Sequence, residues 1–231
     1  MTAKVAAPLA VADLSHVVWD WNGTLLDDTG LSADITNGML GRRGLPSLSV
    51  EGYRRRFGFP LDAYCRDLGF DLEQESFDAV SEEFIEEYER RRLDCQLHRS
   101  ARALIAAFER AGLEQLVLSA YRQETLDELI NHFALRQTLR RTIGVDNDRG
   151  EGKVARGREW IAGAAADPRR VLLIGDTLHD YEVAEAVGAT CVLVAHGHQA
   201  HGRLRTTGCL VYTDFQALAG ALDLRLADGD C

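Results

Sequence analysis

The 231-residue chain has few basic residues for its acidic content, 26 Lys and Arg against 36 Asp and Glu, which gives a net charge of -10. This deficit argues against a duplex nucleic-acid binder, which needs a basic surface. No apolar run approaches the roughly 18 residues that would span a bilayer, so no membrane partner is expected. Repeats and low-complexity segments are also lacking. The composition, 46% hydrophobic and 27% charged, is typical of a globular protein.

Cysteine pairs and lysine are scarce. The five cysteines form no CxxC pair and show no metal-ligand spacing, which indicates reduced thiols and a cytoplasmic location. The short apolar stretch at residues 5–12 contains a proline and does not fit a signal peptide, so we interpret residues 1–14 as a flexible leader. Only Lys4 and Lys153 are lysines, against 24 arginines, which makes Lys153 conspicuous in the folded part.

Short apolar runs alternate with helical patterns along most of the chain. Runs of this kind indicate parallel strands that are buried on both faces. Strands that alternate with helices predict an α/β fold with a Rossmann-like, doubly wound parallel sheet. The predicted strands are residues 16–20, 116–119, 142–145, 171–175, 191–194 and 210–212. The predicted helices among them are residues 102–111, 124–133 and 182–187, the last ending at Gly188.

Residues 29–98 break this alternation. They contain no strong strand pattern but two helical stretches, residues 32–41 and 76–92. We therefore expect a helical cap at residues 29–98, inserted into a core made of residues 15–28 and 99–231. An insertion at this point would cover the carboxyl ends of the strands, where α/β sheets bind ligands.

Polar residues follow the predicted strands at that edge of the sheet. Asp20 follows the first strand, Ser119 ends the second, Lys153 follows the third, and Asp176 and Asp180 follow the fourth. One carboxylate on a turn, a hydroxyl, an ammonium and an acidic pair suit phosphoryl transfer to a carboxylate. In such a reaction Mg²⁺ on oxygen ligands offsets the negative charge.

The order and spacing of these motifs resemble the haloacid dehalogenase (HAD) superfamily of hydrolases. The nearest branch is the phosphoglycolate-phosphatase-like one, which has a helical C1 cap. The four motifs correspond here to residues 20–27, Ser119, Lys153, and Asp176 with Asp180. The match runs over about residues 15 to 200.

The resemblance implies a Mg²⁺-dependent phosphatase that acts on a small phosphorylated metabolite. Asp20 would be the nucleophile and form an aspartyl-phosphate. Asp20, Asp176 and the backbone carbonyl of Asn22 would ligate Mg²⁺, and Asp180 would complete or orient the metal shell. Ser119 and Lys153 would bind the phosphoryl oxygens. The neighbouring residues expected to contact substrate are Gly23, Thr24 and Ala120.

Asn22 departs from the family, whose phosphatases usually carry Asp two residues after the nucleophile as the general acid and base. An amide cannot donate and recover a proton, and loss of such a group typically costs about 10²–10⁴-fold in rate. Several explanations remain open: a substrate with a good leaving group such as an acyl phosphate, another proton source, or a slow or purely ligand-binding protein. An engineered trapping substitution is a further one. The candidate proton donors are His179, His196, His198 or a cap residue.

Two related chemistries are less favoured. Phosphonoacetaldehyde-hydrolase-like enzymes need a cap lysine, and residues 29–98 contain none. Carbon–halogen hydrolysis needs no Mg²⁺ and would not require both Asp176 and Asp180, so a dehalogenase is the weaker alternative.

Substrate specificity is expected to depend on the cap. A basic run, Arg54 to Arg56, precedes a Gly-x-Pro turn that resembles the family's specificity loop. We take Arg56 as the candidate that binds a substrate carboxylate or second phosphate. With no exposed apolar stripe evident, a monomer is the default expectation.

Overall fold

The computed structural model describes residues 9–147 and 152–226, which form eight strands and ten α-helices. The strands are β1 (His16–Trp19), β2 (Leu26–Asp27), β3 (Gln96–Leu97), β4 (Glu114–Arg122), β5 (Arg141–Val145), β6 (Val171–Gly175), β7 (Thr190–Val194) and β8 (Leu210–Tyr212). The helices are α1 (Thr29–Arg42), α2 (Val50–Arg56), α3 (Leu61–Leu68), α4 (Phe77–Arg91), α5 (Ala101–Arg110), α6 (Gln123–His132), α7 (Lys153–Ala164), α8 (Leu178–Val187), α9 (His201–Leu204) and α10 (Phe215–Ala221).

Six of the strands form one parallel sheet in the order β5–β4–β1–β6–β7–β8. The predicted α/β fold is confirmed, and each of the six predicted runs forms one of these strands. β4 is longer than its apolar run because backbone pairing with β1 begins at Glu114, opposite His16. The strand order reverses direction at β1, between β4 and β6. Ligand sites of open α/β sheets lie at this kind of switch point.

Helices cover both faces of the sheet because successive residues of a buried strand point to opposite sides. On one face, the Trp19 ring packs edge-on against Phe108 of α5 and Phe215 of α10. On the other face, Val18 belongs to a second buried cluster with Trp160 of α7. Gly188 ends α8 in the left-handed conformation, as the sequence predicted.

The two ends of residues 29–98, hereafter the helical insertion, lie next to each other at the sheet. The chain enters the insertion through β2 and leaves it through β3, and these two short strands pair antiparallel, with Leu26 opposite Leu97. Helices α1 to α4 lie between them and share an apolar core that includes Tyr53, Val80 and Tyr88. α4 begins at an N-cap, Ser76, whose side chain accepts a hydrogen bond from the Ala79 amide.

Two predictions concern the chain ends. Residues 1–8 of the predicted leader and residues 227–231 of the predicted core lie outside the described residues. Residues 9–14 of that leader contact the folded part, since Leu9 and Val11 pack against the main core and Leu14 is only 4% exposed. Burial of apolar side chains of this kind stabilises the folded state.

The described cysteines, which leave out Cys231, are free thiols. None of the helices in the described ranges has the length and apolar character needed to cross a membrane.

Candidate active site

The turn after β1 presents the first carboxylate. Asp20 follows the strand directly, and the chain then turns so that the Leu26 amide donates to the Trp21 carbonyl at 2.9 Å. Gly23 in this turn has φ +75, and a Cβ there would lie 2.4 Å from Asp176 Oδ2. Glycine is therefore required both for the backbone conformation and for the close approach of Asp176.

Three buried carboxylates meet at the carboxyl ends of β1 and β6. Asp20, Asp176 and Asp180 each offer an oxygen, and these atoms lie within 4.8 Å of one another. Because β1 and β6 are neighbours in the sheet, their ends bring together residues that are about 150 positions apart in sequence. Gly175 permits this, since a Cβ at that position would lie 2.3 Å from the Asp180 side chain.

Lys153 is the cation of this cluster. It begins α7, is only 2% exposed, and its Nζ donates to Asp20 Oδ1 at 2.5 Å and to Asp180 Oδ1. Burial alone would lower the pKa of Lys153, but the charges of Asp180 and Asp20 outweigh burial and raise it. The lysine is therefore held charged against the candidate nucleophile.

Asp180 bonds to Lys153 and to the first turn of α8. Its Oδ1 accepts from Lys153, while its Oδ2 accepts from the Thr177 hydroxyl at 2.7 Å and the Thr177 amide at 3.0 Å. Together with the bond from the Asp180 amide to the Thr177 hydroxyl, this forms a capping box at the start of α8. Both oxygens are thus engaged, and unlike Asp176 this carboxylate is bonded to the Lys153 cation, which fits the predicted orienting role.

Asp176 faces the same cluster with both oxygens fixed. Its Oδ1 accepts from the Thr24 hydroxyl at 2.7 Å and its Oδ2 from the His198 amide at 2.6 Å. Burial, with added repulsion from Asp20 and Asp180, raises the pKa of Asp176 to about 8. Burial also raises the pKa of Asp20 to about 6, although Lys153 opposes the shift.

The cluster therefore carries more buried negative charge than Lys153 neutralises. A small divalent cation would relieve it, and carboxylate and carbonyl oxygens are the ligands that Mg²⁺ prefers. The residues fit Mg²⁺ on these grounds. Asp20, Asp176 and the Asn22 carbonyl are the groups that would hold the ion.

The Asn22 side chain is engaged in a network of its own. Its Nδ2 donates to Asp28 Oδ2 at 2.9 Å and to the Tyr88 hydroxyl at 2.8 Å. The Tyr88 hydroxyl in turn donates to Asp28 Oδ2 at 2.6 Å. The other oxygen of Asp28 accepts from the Gly23 amide at 2.7 Å and lies 3.2 Å from His198 Nε2.

Asp28 and His198 form a buried ion pair behind Asn22. Burial would raise the pKa of Asp28, but the His198 charge and hydrogen bonds from His198, Tyr88 and Asn22 hold it below its usual range. Burial would lower the pKa of His198, but the charge and hydrogen bond of Asp28 raise it to about 9. Tyr53 of α2 lies 3.0 Å from His198 Nδ1, so both Tyr53 and Tyr88 connect the helical insertion to this pair.

Ser119 and Ala120 lie opposite the acidic cluster, at the end of the apolar part of β4. Ser119 is buried, and its hydroxyl accepts from the Tyr121 amide at 3.1 Å. Both residues line a cavity of about 200 Å³, together with Asp20 and Lys153. The structure thus brings together the candidate nucleophile, the lysine and the hydroxyl that the sequence predicted.

Three predicted substrate contacts are placed elsewhere. Gly23 and Thr24 are not part of the cavity wall formed by the described residues, because both are buried behind Asp176. Arg56 is exposed and lies 4.0 Å from Asp67, also outside that wall. None of these three residues lies on the described cavity wall, and their contact with substrate stays a prediction.

The other arginines of the basic run also point away. Arg54 donates to the His196 carbonyl, and the Ala200 amide donates to the Arg54 carbonyl at 3.0 Å, so this residue attaches the helical insertion to the loop after β7. Arg55 pairs with Glu51 on the surface. Helix α2 instead turns Tyr53 toward the site, a direction that a basic run in the sequence does not reveal.

The candidate proton donors differ in their surroundings. His196 stacks on His98 at 3.8 Å, and burial lowers its pKa to about 3. His179 lies 4.8 Å from the Phe59 ring and lines the cavity. His198 is buried against Asp28. Only His179 and His198 therefore face the cavity, and His196 does not belong to its described wall.

The sequence analysis missed Asp28 and Tyr88 as site residues. Asp28 precedes α1, where it reads as a helix cap, yet its side chain caps nothing in that helix. Tyr88 belongs to the apolar stripe of α4 and reads as core. The only available signal was that both are polar groups among buried neighbours.

A family model described as haloacid dehalogenase-like hydrolase matches residues 17–194. An N-acetylmuramic acid 6-phosphate phosphatase of Pseudomonas putida is 26% identical, with 80% of this chain and 84% of that protein covered. A phosphoglycolate phosphatase of Pseudomonas syringae pv. tomato is 23% identical, with 90% and 80% covered.

Solved structures share the fold. A haloacid dehalogenase-like family hydrolase from Streptococcus pneumoniae has a TM-score of 0.74 at 16% identity, covering 90% of this chain and 98% of that one. The protein tyrosine kinase A of Mycobacterium tuberculosis has a TM-score of 0.75 at 23% identity, with the same coverage.

The chain belongs to the haloacid dehalogenase-like hydrolase family, since the family model spans most of it. The resemblance inferred from the four motifs is confirmed at this level.

Proposed function

We propose that the protein is a Mg²⁺-dependent phosphatase that hydrolyses a small phosphorylated metabolite in the cytoplasm through a phosphorylated Asp20. The observation that carries the proposal is the trio of buried carboxylates Asp20, Asp176 and Asp180, with Lys153 bonded to two of them. We propose residues 29–98 as the cap of this site. The two phosphatase relatives support the reaction class.

In the first step, an Asp20 oxygen attacks phosphorus and the ester P–O bond breaks, so that the leaving oxygen takes the bonding electron pair and then a proton from water. In the second, water attacks the same phosphorus, the bond between the Asp20 oxygen and phosphorus breaks, and the Asp20 carboxylate is regenerated as inorganic phosphate leaves and a proton passes to solvent. Lys153 and Ser119 hold phosphoryl oxygens, and Asp180 holds Lys153 in position. When bound by Asp20, Asp176 and the Asn22 carbonyl, Mg²⁺ offsets charge on the phosphoryl group.

Proton transfer is the unusual part of this site. The Asn22 side chain points its amide group at Asp28 and Tyr88 and has no acidic proton to give. The leaving oxygen therefore receives little help from position 22. Substrates whose leaving group is already stable as an anion, such as acyl phosphates, should react fastest.

The test is release of inorganic phosphate from acetyl phosphate and from a panel of phosphate esters, with Mg²⁺ and with chelator. Chelator-sensitive release that disappears in Asp20→Asn and persists in Asp13→Asn is the expected result. Asp13→Asn is the matched control, since it makes the same chemical change at an exposed position. Release that survives Asp20→Asn would refute the proposed nucleophile.

A second function is favoured by the Asn22 network itself. Because the amide is locked to Asp28, the site is also suited to bind a phosphorylated ligand without turning it over. Binding of inorganic phosphate with Mg²⁺, together with no release from any substrate, would favour that function.

A further inference from the structure

The cavity above Asp20 extends into the helical insertion, and its wall there is apolar. Five of the eight phenylalanines and four of the six tyrosines of the chain line this one cavity, although aromatic residues make up only 7% of the sequence. Eight of these nine rings come from α2, α3, α4 and the segments between them, as with Phe57, Phe59 and Phe84, and Tyr121 comes from β4.

Charged side chains on the described wall come from outside the helical insertion, Arg122 at the end of β4 among them, and those beside Asp20 are paired. Lys153 is shared by Asp20 and Asp180, and His198 faces Asp28. The 17 described wall residues that come from the helical insertion include no charged residue at all. The basic run at Arg54 to Arg56 faces the loop after β7 or the surface, as described above.

A buried hydroxyl lies among the rings. Tyr64 is 9% exposed, and its hydroxyl has no hydrogen-bond partner of ordinary geometry, although Thr36 is its neighbour. A buried polar atom without a partner is costly, and a bound molecule that offers one polar atom would satisfy it. This position lies on the wall contributed by the insertion, away from the carboxylates.

We propose that the substrate is a phosphate monoester whose alcohol part is an uncharged, mainly apolar ring that carries at most one polar atom. This proposal rests on the phosphatase function above and names its substrate class. The ring would pack among Phe57, Phe84 and Tyr64, while the phosphoryl group lies at Asp20.

Size and charge both support a single ring. A cavity of about 150 Å³ binds benzene, so the volume of about 200 Å³ here holds one ring beside a phosphoryl group. A carboxylate on the alcohol, packed against the part of the wall that the insertion contributes, would be buried without a cation there, which is strongly unfavourable. The site therefore differs from one built for a small carboxylate-bearing ester such as phosphoglycolate.

The experiment compares benzyl phosphate with its para-carboxylate analogue, two esters with the same bond to be broken. We expect kcat/KM to be about 10–100-fold higher for benzyl phosphate, because both esters bury the ring but the para-carboxylate analogue also buries an unpaired charge. Equal values, or a preference for the carboxylate, would overturn the proposal. Acetyl phosphate, which has no ring, is measured in parallel and reports the phosphatase function alone.

Two variants test whether the insertion wall sets this preference. Phe84→Arg places a cation on the wall and should move selectivity toward the para-carboxylate, while Phe84→Leu keeps the wall apolar and should not. Hydrolysis of acetyl phosphate shows that each variant is folded. If Phe84→Arg hydrolyses acetyl phosphate but leaves the preference unchanged, the assignment of the wall is wrong.

A binding measurement covers the case in which no ester is hydrolysed. Calorimetry with Mg²⁺ compares benzylphosphonate with methylphosphonate, two compounds that cannot be cleaved at phosphorus–oxygen ester bonds. At least about tenfold tighter binding of benzylphosphonate is expected from ring burial. Equal affinity would refute the ring site even if phosphatase activity were established.

Discussion

Asn22→Asp is the substitution that would recreate the acidic residue typical of family phosphatases, and the structure predicts that it destabilises this protein. The Asn22 amide donates to Asp28 Oδ2 at 2.9 Å, and Asp28 is almost fully buried. A carboxylate at position 22 would replace a donor with a second acceptor of the same charge. The hydrogen bond lost is of the charge-assisted kind, worth about 1.5–3 kcal/mol.

The repulsion between the two carboxylates sets the upper limit. Two like charges about 4 Å apart repel by about 4 kcal/mol at an effective dielectric constant of about 20. If one carboxyl instead keeps a proton at pH 7, raising its pKa by about three units costs about 4 kcal/mol. We therefore expect Asn22→Asp to lower the free energy of unfolding by about 2–4 kcal/mol at pH 7.

The swap Asn22→Asp with Asp28→Asn separates this contact from other effects. It restores one amide facing one carboxylate, and the amide oxygen introduced at position 28 can still accept from the Gly23 amide. The two substitutions together should cost at least about 2 kcal/mol less than the sum of the single ones, a coupling that a double-mutant cycle measures. His198 loses its charged partner in the swap, so full recovery is not expected.

Urea unfolding of the wild type, both single variants and the swap provides the assay. Asn131→Asp is the matched control, because Asn131 is exposed beside Arg136, and it should change stability by no more than about 0.5 kcal/mol. The deficit of Asn22→Asp should shrink at pH 5, where a shared proton is easier to keep. An Asn22→Asp protein as stable as the wild type, or a coupling near zero, would refute the reasoning.

Three further predictions follow from the site. The pKa of His198 in the folded protein is raised to about 9, so its contribution to stability is complete below its unfolded pKa of about 6.5. Urea unfolding should show that this contribution is lost as the pH rises to 9. Asp28→Asn should remove most of this dependence of the free energy of unfolding on pH. In thermal unfolding, Mg²⁺ should raise the melting temperature more at pH 8 than at pH 5, because the raised pKa of Asp176 leaves more of it protonated at pH 5. Asp176→Asn should abolish this rise in melting temperature. An unchanged rise would show that Asp176 does not bind the metal. Lys153→Met should lower the free energy of unfolding in chelator by about 3–5 kcal/mol, because it leaves two buried carboxylates unpaired; a loss below about 1 kcal/mol would contradict the buried pairing.

Much of the fold could be predicted because parallel strands leave a direct mark on the sequence. Apolar runs near residues 116 and 171 are buried on both faces, and no other arrangement explains them as simply. The positions of Asp20 and Asp176 follow from the same signal, since strand ends converge at one edge of the sheet. The first and last residues of the strands could not be predicted from the apolar runs, as β4 shows, because backbone pairing continues into polar residues.

Side-chain direction in the helical insertion could not be predicted. Arg56 and Tyr53 lie on the same short helix, and only packing against the loop after β7 turns the tyrosine inward and the arginine outward. Charge made Arg56 the more conspicuous candidate for an anionic substrate. The bonds that decide the matter, such as the one from Gln199 Nε2 to the Phe57 carbonyl, join residues more than 140 positions apart.

Asn22 is best understood together with Asp28 rather than as a lost catalytic acid. A carboxylate buried at position 28 and a carboxylate at position 22 would compete for the same small volume, so the amide is the residue that fits beside Asp28. The proton-transfer group cannot be regained by one substitution without charge repulsion. It follows that Asn22→Asp alone is a poor test of catalysis in this chain, because low activity in that variant would also result from a distorted site. The swap is the informative protein: if it hydrolyses alkyl phosphate esters faster than the wild type, position 22 is the missing acid and base, and if it is equally slow, the proton comes from elsewhere.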